Sequence, residues 1–444
     1  MEPLTYLTLT FMQQNVYKIG RGLFVLGLLI CLHTFSAYSS GYQVLLQGNR
    51  STAMGNLGVA LSPDASSMFF NPGAMTFMEG SQVMLGANGI FNSIAYWNNV
   101  QNSGIVENTD NPTGTPFHVY GVFGADDSNW KFGLGAYTPF GSGVKWGTDW
   151  TGKYLLDELT LRAIYAQATV AYKINDQLSI GAGFVANFGS VNLQRTLPIS
   201  GEDRASVELD GNADVGFGYN IGIFYKPSNQ WQIGVSYRSR IDAEVKGGDA
   251  KFENIPSSLN ALFPTTTFSA SLPLPSSINV GVGYLPNENL EIGIQIDYVG
   301  WGAYESLNID FEDNTLGLAD SNSPRNYEDS WVFHLGGEYK MNALQFRAGG
   351  YYDISPVQDG YMTPETPDAN RIGLTAGIGY TVSENFQIDL SFLYIMGQER
   401  EQTVAQAQAA GTYPIGNNSD PYAVQPGTYK LRAYIPGLSL SYKF

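Results

Sequence analysis

The sequence predicts an all-β fold: a 14-stranded antiparallel transmembrane β-barrel with an N-terminal, partly helical plug (a hatch) in its lumen. Three observations predict it. The first is composition: only 14% of the 444 residues are charged, while Gly, Tyr and Phe number 51, 28 and 24; soluble domains carry about 25% charged residues. Beyond the N-terminus no apolar run approaches the ~20 residues of a spanning helix, so a membrane-spanning chain of this kind has to close a sheet on itself. The second is period-two alternation over segments of about ten residues, one face apolar and the other polar or glycine. The third is that the connections between these segments are alternately short and long.

In chain order, residues 1–39 read as a cleaved secretory leader. Lys18 and Arg21 precede an apolar stretch from Leu23 to Leu32, and cleavage after Ser39, with Ala37 two positions before it, fits the pattern. Met12 is an alternative start. Cys31 is the only cysteine and lies in the leader, so the mature chain has no disulfide and no Cys-ligated metal. Loss of Glu2, Lys18 and Arg21 takes the net charge from −17 to −18, which excludes nucleic acid as a partner. No cofactor is expected.

Residues 40–80 do not read as wall. The stretch SPDASSMFFNPGAMTFM (62–78) is apolar but alternates poorly, has no long helical stripe, and breaks at Asn71-Pro72-Gly73. Asp64 is placed to cap a short helix and Pro72 to stop one. Since side chains cannot fill a lumen of fourteen strands, this segment is expected to fold back inside as the plug.

Residues 81–444 read as the barrel. Phe386, Ile388, Leu390, Phe392, Tyr394 and Met396 share one face, with Gln387, Asp389 and Ser391 on the other; Leu290 to Tyr298, Val215 to Tyr225 and Leu178 to Phe188 alternate likewise. Short turns fall at 126–129, 175–177, 227–230, 286–289, 341–342 and 383–385. Between them lie the connections 98–115, 141–156, 197–203, 247–267, 311–325, 356–370 and 401–428. Six turns and seven outer connections make fourteen strands, with short turns toward the periplasm and both chain ends on that side. Aromatic residues gather at two heights, Tyr172, Tyr225, Trp231, Tyr284, Tyr339, Tyr380 and Phe386 near the short turns and Tyr298, Trp331, Tyr352 and Tyr394 nearer the long loops. Such girdles mark the two membrane interfaces. The chain ends on alternating Leu438, Leu440, Tyr442 and Phe444, and Phe444 resembles the signal read by the barrel assembly machinery. The expected location is the outer membrane of a Gram-negative bacterium, in contact with its lipid and lipopolysaccharide.

The segment GNRSTAMGNLGVALSPDASSMFFNPGAMT (48–76) resembles the N-terminal hatch of the outer-membrane long-chain fatty acid transporter (FadL) family, which includes importers of toluene-like compounds. The family's Asn-Pro-Ala stands here as Asn71-Pro72-Gly73. Three further stretches match in the same order: FGLGAYTPFGSGVKWGTDWTGKY (132–154), LPSSINVGVGYLPNENLEIGIQIDYVGW (274–301) and ISPVQDGYMTPETPDANRIGLTAGIGY (354–380). The resemblance implies a fourteen-stranded barrel with a hatch. It also implies uptake of a hydrophobic ligand from the outer loops, a hatch shift gated around Phe69, Phe70, Asn71, Pro72 and Gly73, and sideways release beside a kinked third strand. That strand is 129–140, with Gly133, Gly135 and Pro139 as the kink; the other reading of these glycines is small residues facing a crowded plug. Gly73 in place of alanine is expected to loosen the backbone. The connection 197–203 is short for an outer groove, and 247–267, carrying Leu259, Ala261, Leu262 and Phe263, offers an alternative landing surface.

A fatty-acid-like ligand needs an apolar lining and a cation for its head. Carrying each strand's alternation through puts Arg238, Arg240, Arg347 and Arg371 inside the barrel, together with Glu291, Asp297, Glu338, Asp353 and Asp389. Arg238 and Arg347 are the head-group candidates; the other reading is that these acids and bases pair with one another and brace wall and plug. No catalytic residue and no metal site is expected. His118 and His334 are the only histidines past the leader, and neither lies in a nucleophile motif. Two other readings of the same barrel are a surface receptor or adhesin and an outer-membrane enzyme.

Overall fold

A computed structural model describes residues 41–61, 63–98, 104–199, 205–414 and 423–444. The leader, Ser62 and parts of the outer connections at 98–115, 197–203 and 401–428 lie outside the described residues. Fourteen strands close into an antiparallel barrel. They are β1 (Gln82–Asn88 and Phe91–Trp97), β2 (Val106–Asn108 and Phe117–Phe123), β3 (Trp130–Lys145), β4 (Glu158–Lys173) and β5 (Leu178–Thr196). Then come β6 (Ser206–Asn212 and Gly216–Tyr225), β7 (Trp231–Arg238 and Ile241–Glu253), β8 (Thr266–Leu274 and Ser277–Asn287), β9 (Leu290–Val299 and Ser306–Phe311) and β10 (Ser321–Pro324 and Ser330–Met341). The last four are β11 (Leu344–Asp353), β12 (Arg371–Ser383), β13 (Phe386–Gly397 and Arg400–Gln402) and β14 (Gly427–Lys443). Each pairs with its sequence neighbours, and β14 closes the ring against β1, from Gln82 opposite Lys443 to Trp97 opposite Thr428. Closure pairs the first strand with the last, which lipid requires.

The wall changes chemistry along its height, and β5 carries the change within one continuous strand. Near the short turns Ile180, Ala182, Phe184 and Phe188 face outward and are exposed, while Ser179, Gly181, Gly183 and Asn187 face inward. Higher up Asn192 and Gln194 are on the outward face, where they hydrogen-bond Glu208 of β6, and Val191 and Leu193 face in. In β6, β7, β8 and β9 the same inversion is made by a break between two segments. Ile241, Ala243 and Val245 turn inward above the break in β7, while Asp242 and Glu244 turn out. The greasy outer band therefore ends at these breaks, and the outer half of this side of the barrel stands in water with an apolar interior. The girdles pair across strands: Trp130 with Tyr172 and Trp231 with Tyr284 near the short turns, Tyr298 with Trp331 and Tyr394 with Tyr434 nearer the long loops.

Residues 41–61 and 63–80 run inside the ring, packed against its inner face. They include α1 (Asn49–Ala53), α2 (Ser67–Phe70) and a 3-10 helix (Pro72–Phe77). Asp64 binds the Ser66 amide at 2.8 Å, just ahead of α2, and Asn71 accepts from the Gly73 amide at 3.1 Å to start the 3-10 turn. A further helix, α3 (Val404–Ala409), lies in the last outer loop, started by a Thr403–Gln406 capping box.

Candidate functional site

Arg240 requires a correction. Ser239 and Arg240 lie between the two ladder segments of β7, so the alternation slips there. Arg238 points into the lumen, whereas Arg240 is on the exposed face, held by Asp242 at 2.6 Å. It does not join the lumen groups.

The hatch is seated by glycine. Asn71 Nδ2 donates to the carbonyls of Val59 (2.9 Å) and Ile223 of β6 (3.0 Å), and Ser179 of β5 donates to the Gly73 carbonyl at 2.7 Å. A Cβ at Gly181 would come within 2.5 Å of the Pro72 backbone, and Cβ atoms at Gly222 and Gly234 would overlap Asn71 and the Val59 carbonyl. Gly73 itself lies so close to β6 that a Cβ would approach the Gly222 carbonyl to 2.9 Å. Its small size serves close approach here. Phe70 is buried and Phe69 half-buried, their rings 5.0 Å apart.

Above the hatch lies an apolar cavity of about 840 Å³, counting its open mouth. Leu159, Leu161, Val191, Leu193, Ala243, Val245, Ala270, Leu272 and Leu274 line it, from the upper parts of β4, β5, β7 and β8. Its polar end is made by Tyr304, Arg325, Glu365 and Thr366. Arg325 is buried, donates to Ser323 at 2.7 Å and Tyr304 at 3.3 Å, and lies 3.6 Å from Glu365. Tyr42 forms the floor: its hydroxyl donates to the Pro273 carbonyl, and its ring packs against Phe140, Trp301 and Tyr304.

Phe140 also borders a smaller pocket of about 520 Å³ between hatch and wall, lined by Leu45, Asn56, Phe69, Arg238, Asn279 and Asp297 among others. Arg238 donates to the Tyr137 hydroxyl (2.9 Å) and the Phe69 carbonyl (2.7 Å), and its guanidinium lies 4.2 Å over the Phe69 ring. Among the described residues no carboxylate lies within ion-pair distance of it. The other two lumen arginines differ. Arg347 is held by Glu338 (2.5 Å) and Asp389 (2.6 Å), and the hatch's Arg50 joins the same cluster through Glu338 (3.0 Å) and Glu291. Arg371 is held by Asp368 and, at 3.6 Å, by Asp353. Both guanidiniums are thus engaged with carboxylates. His334 sits between the Gly55 carbonyl (2.7 Å) and Asp297 (3.2 Å).

The wall beside β3 is interrupted. Pairing with β2 runs from Phe132 to Tyr137 and stops, and the register with β4 shifts between Tyr137 and Phe140. There the start of the hatch takes the place of β2: Val44 donates to the Pro139 carbonyl (2.7 Å), Gly141 to that of Tyr42 (2.9 Å), and Gln47 to that of Thr138 (3.0 Å). Pro139 lies at the interruption. Gly133 and Gly135 lie below it, facing the hatch, where a Cβ at Gly133 would approach Met68 to 2.8 Å.

The sequence reading missed Arg325, Glu365 and Tyr42. Arg325 and Glu365 lie outside any regular alternation, and Tyr42 precedes every motif.

The family model described as "Outer membrane protein transport protein (OMPP1/FadL/TodX)" matches residues 30–444. An outer membrane protein of Neisseria meningitidis serogroup B is 26% identical over 92% of this chain and 96% of its own. A long-chain fatty acid transport protein of Escherichia coli is 25% identical over 87% of this chain and 94% of its own. Among solved structures, a Pseudomonas aeruginosa FadL homologue superposes with a TM-score of 0.77 at 19% identity, covering 91% of this chain and 100% of that one. The Ralstonia pickettii toluene transporter TbuX gives 0.66 at 21% identity, covering 90% and 100%. These two likenesses establish the shared fold.

Proposed function

This chain belongs to the outer-membrane transport protein family OMPP1/FadL/TodX, and from that premise we propose that it imports hydrophobic molecules with an anionic head, such as long-chain fatty acids. The observation that carries the reading is an apolar cavity in the water-exposed half of the barrel, standing above a buried arginine with no carboxylate partner among the described residues. The ligand enters from the outer loops and fills the cavity. Displacement of Tyr42 and the first hatch residues joins the cavity to the Arg238 pocket, where the guanidinium takes the head group. Those same residues plug the interruption beside β3, so their movement also opens a sideways exit at Pro139. A membrane-facing exit suits a greasy cargo, which gains by entering lipid directly. The gate is the segment Phe69-Phe70-Asn71-Pro72-Gly73, whose seat on β5–β7 the cargo has to loosen.

The test is uptake of a labelled long-chain fatty acid by cells carrying the protein, with binding measured on the purified barrel. Filling the cavity with Ala243→Phe and Ala270→Phe is expected to cut binding and uptake at least tenfold. Arg238→Leu is expected to weaken a carboxylate ligand roughly 10- to 100-fold, since hydrogen bonds to charged groups contribute about 1.5–3 kcal/mol, and to leave a neutral aromatic hydrocarbon nearly unaffected. Unchanged uptake in the filled-cavity variant would overturn the import reading. Equal losses for charged and neutral ligands in Arg238→Leu would remove the head-group role alone.

A further inference from the structure

The hatch leaves α1 through a tight turn at Gly55-Asn56 that the wall holds in place. The Asn56 amide donates to the Ser51 carbonyl at 2.8 Å. The Gly55 amide donates to Thr375 Oγ1 of β12 (2.8 Å), and its carbonyl lies 2.7 Å from His334 Nδ1 of β10. Both residues are left-handed, with φ of 75° and 66°. Gly55 has to be glycine, since a Cβ there would come within 2.8 Å of the Gly350 and Leu335 backbones. At Asn56 glycine would suit the turn as well, yet the residue is asparagine. All the non-glycine residues with positive φ among those described are asparagines. Asn254, Asn326 and Asn342 are exposed, whereas Asn56 is 2% exposed.

Neither Nδ2 nor Oδ1 of Asn56 makes a hydrogen bond. Buried polar groups in folded proteins nearly always have a partner, so an orphaned amide calls for one. Asn56 borders the pocket of about 520 Å³ that also holds Arg238, and among the described residues no other orphaned side chain lines it. Its neighbours in the pocket are engaged. Gln295 accepts from the amides of Gly58 (3.3 Å) and Val59 (3.2 Å) and donates to Asp297 (2.9 Å). The other oxygen of Asp297 lies 3.2 Å from His334 Nε2. Arg238 gives Nη1 to Tyr137 and Nη2 to the Phe69 carbonyl, both neutral acceptors, and retains further N–H groups. One space thus joins a cation of the wall that lacks a carboxylate to an amide of the hatch that lacks any partner.

We propose that Asn56 is the hatch's own ligand for the head group of the cargo: a carboxylate in this pocket accepts from Arg238 through one oxygen and from Asn56 Nδ2 through the other. The inference rests on the import reading for its ligand and adds to it a residue that sets specificity. A carboxylate offers about four acceptor sites on its two oxygens, so both donors find room on it. The turn already fixes Asn56, so little ordering is lost when the amide engages. Hydrogen bonds to an ionised acceptor are roughly twice as strong as those between neutral groups, so an acid gains from this amide and a hydrocarbon does not.

The test is equilibrium binding of radiolabelled dodecanoate to the whole detergent-purified barrel, beside dodecyl chloride, which has a tail of the same length and no acidic head. Asn56→Gly keeps the left-handed turn and removes only the side chain. It should weaken dodecanoate about five- to tenfold and leave dodecyl chloride within about twofold. Asn56→Asp keeps the shape and tolerates the same turn, but it replaces the donor by an anion and hands Arg238 a carboxylate. It should weaken dodecanoate at least about 30-fold; where Asn56→Gly fails to fold, judged by heat-modifiable gel mobility, this variant decides. Asn56→Asp binding dodecanoate like the parent, or Asn56→Gly losing both ligands alike, would mean that Asn56 serves the turn and its packing only. Unchanged dodecanoate affinity in Asn56→Gly would mean that the amide holds ordered water only. Each of these results overturns the proposal. A parent that binds no dodecanoate would bring down the import reading with it, whereas a parent weakened by Arg238→Leu and not by Asn56→Gly would remove Asn56 alone.

Discussion

At the scale of single residues, Asp157 shows how an outer loop is tied. Its amide donates to the Gln194 carbonyl at 2.8 Å, its own carbonyl receives the amides of Trp146 and Gly147, and its carboxyl accepts from Thr196 Oγ1 at 2.8 Å. Burial pushes the carboxyl up from 3.8 to about 6, against the opposing pull of Thr196 and Lys153. A carboxyl whose folded pKa is raised favours the fold while protonated. Its contribution is complete below about pH 3.8 and is lost as the pH rises through about 6. The β3–β4 loop is therefore expected to be tighter at pH 5 than at pH 8. After correction for intrinsic rates, the Trp146 and Gly147 amides should exchange several-fold faster at the higher pH, and Asp157→Asn should abolish the difference; exchange independent of pH in the parent protein would refute it. The residue scale is also where sequence reasoning was weakest. Arg238 and Arg240 share a parity, and nothing local says that the ladder slips between them. Arg347 and Arg238 read alike in the sequence, yet Arg347 meets a carboxylate from the adjacent β10 and another from β13, two strands away, and Arg238 meets none among the described residues. Such pairing depends on register across strands far apart in the chain, which alternation alone does not supply.

At the scale of elements, the strands were legible because each carries its own period-two record, and the turns because they are short and polar. The inversion within β5 was not, since a strand with apolar residues inside reads like one with apolar residues outside once the frame shifts by one. The lumen glycines illustrate a second ambiguity. Gly133 and Gly135 read equally as a bend or as space for the plug; in the structure they lie beneath hatch side chains, and the ladder breaks above them at Thr138–Pro139. Gly234 of β7 is the sharpest case, because a side chain there would overlap the Val59 carbonyl that Asn71 also holds. Gly234→Val is accordingly expected to lift the hatch from β6–β7, seen as faster proteolysis within residues 41–80 at unchanged heat-modifiable mobility of the barrel. Ala182→Val, on the lipid face of β5, is the control and should leave the hatch protected. Equal protection of the hatch in both variants would mean that this seat contributes little.

At the scale of the whole molecule, wall and hatch differ in how they are held. The wall closes through backbone hydrogen bonds between β1 and β14 that owe nothing to the hatch. The hatch is held largely by side chains, the Arg50 ion pairs, the Asn71 bonds and the Tyr42 hydroxyl, with backbone bonds to β3 at Tyr42 and Val44. Breaking buried pairs of this kind costs about 3–5 kcal/mol when one partner is removed; excising the hatch takes Arg50 from Glu291 and Glu338, but Glu338 keeps Arg347 and Lys340, and the lumen is now open to water that can solvate both carboxylates. A barrel lacking residues 41–79 is therefore expected to assemble and keep its heat-modifiable mobility. The upper part of β3 would be the element that suffers, because the hatch replaces β2 as its partner there. In a planar bilayer this shortened chain should carry a steady ionic current, whereas the intact chain should remain closed apart from brief openings. Comparable steady currents from both would mean that residues 41–79 do not seal the bore; silence from both would mean that something other than the hatch does.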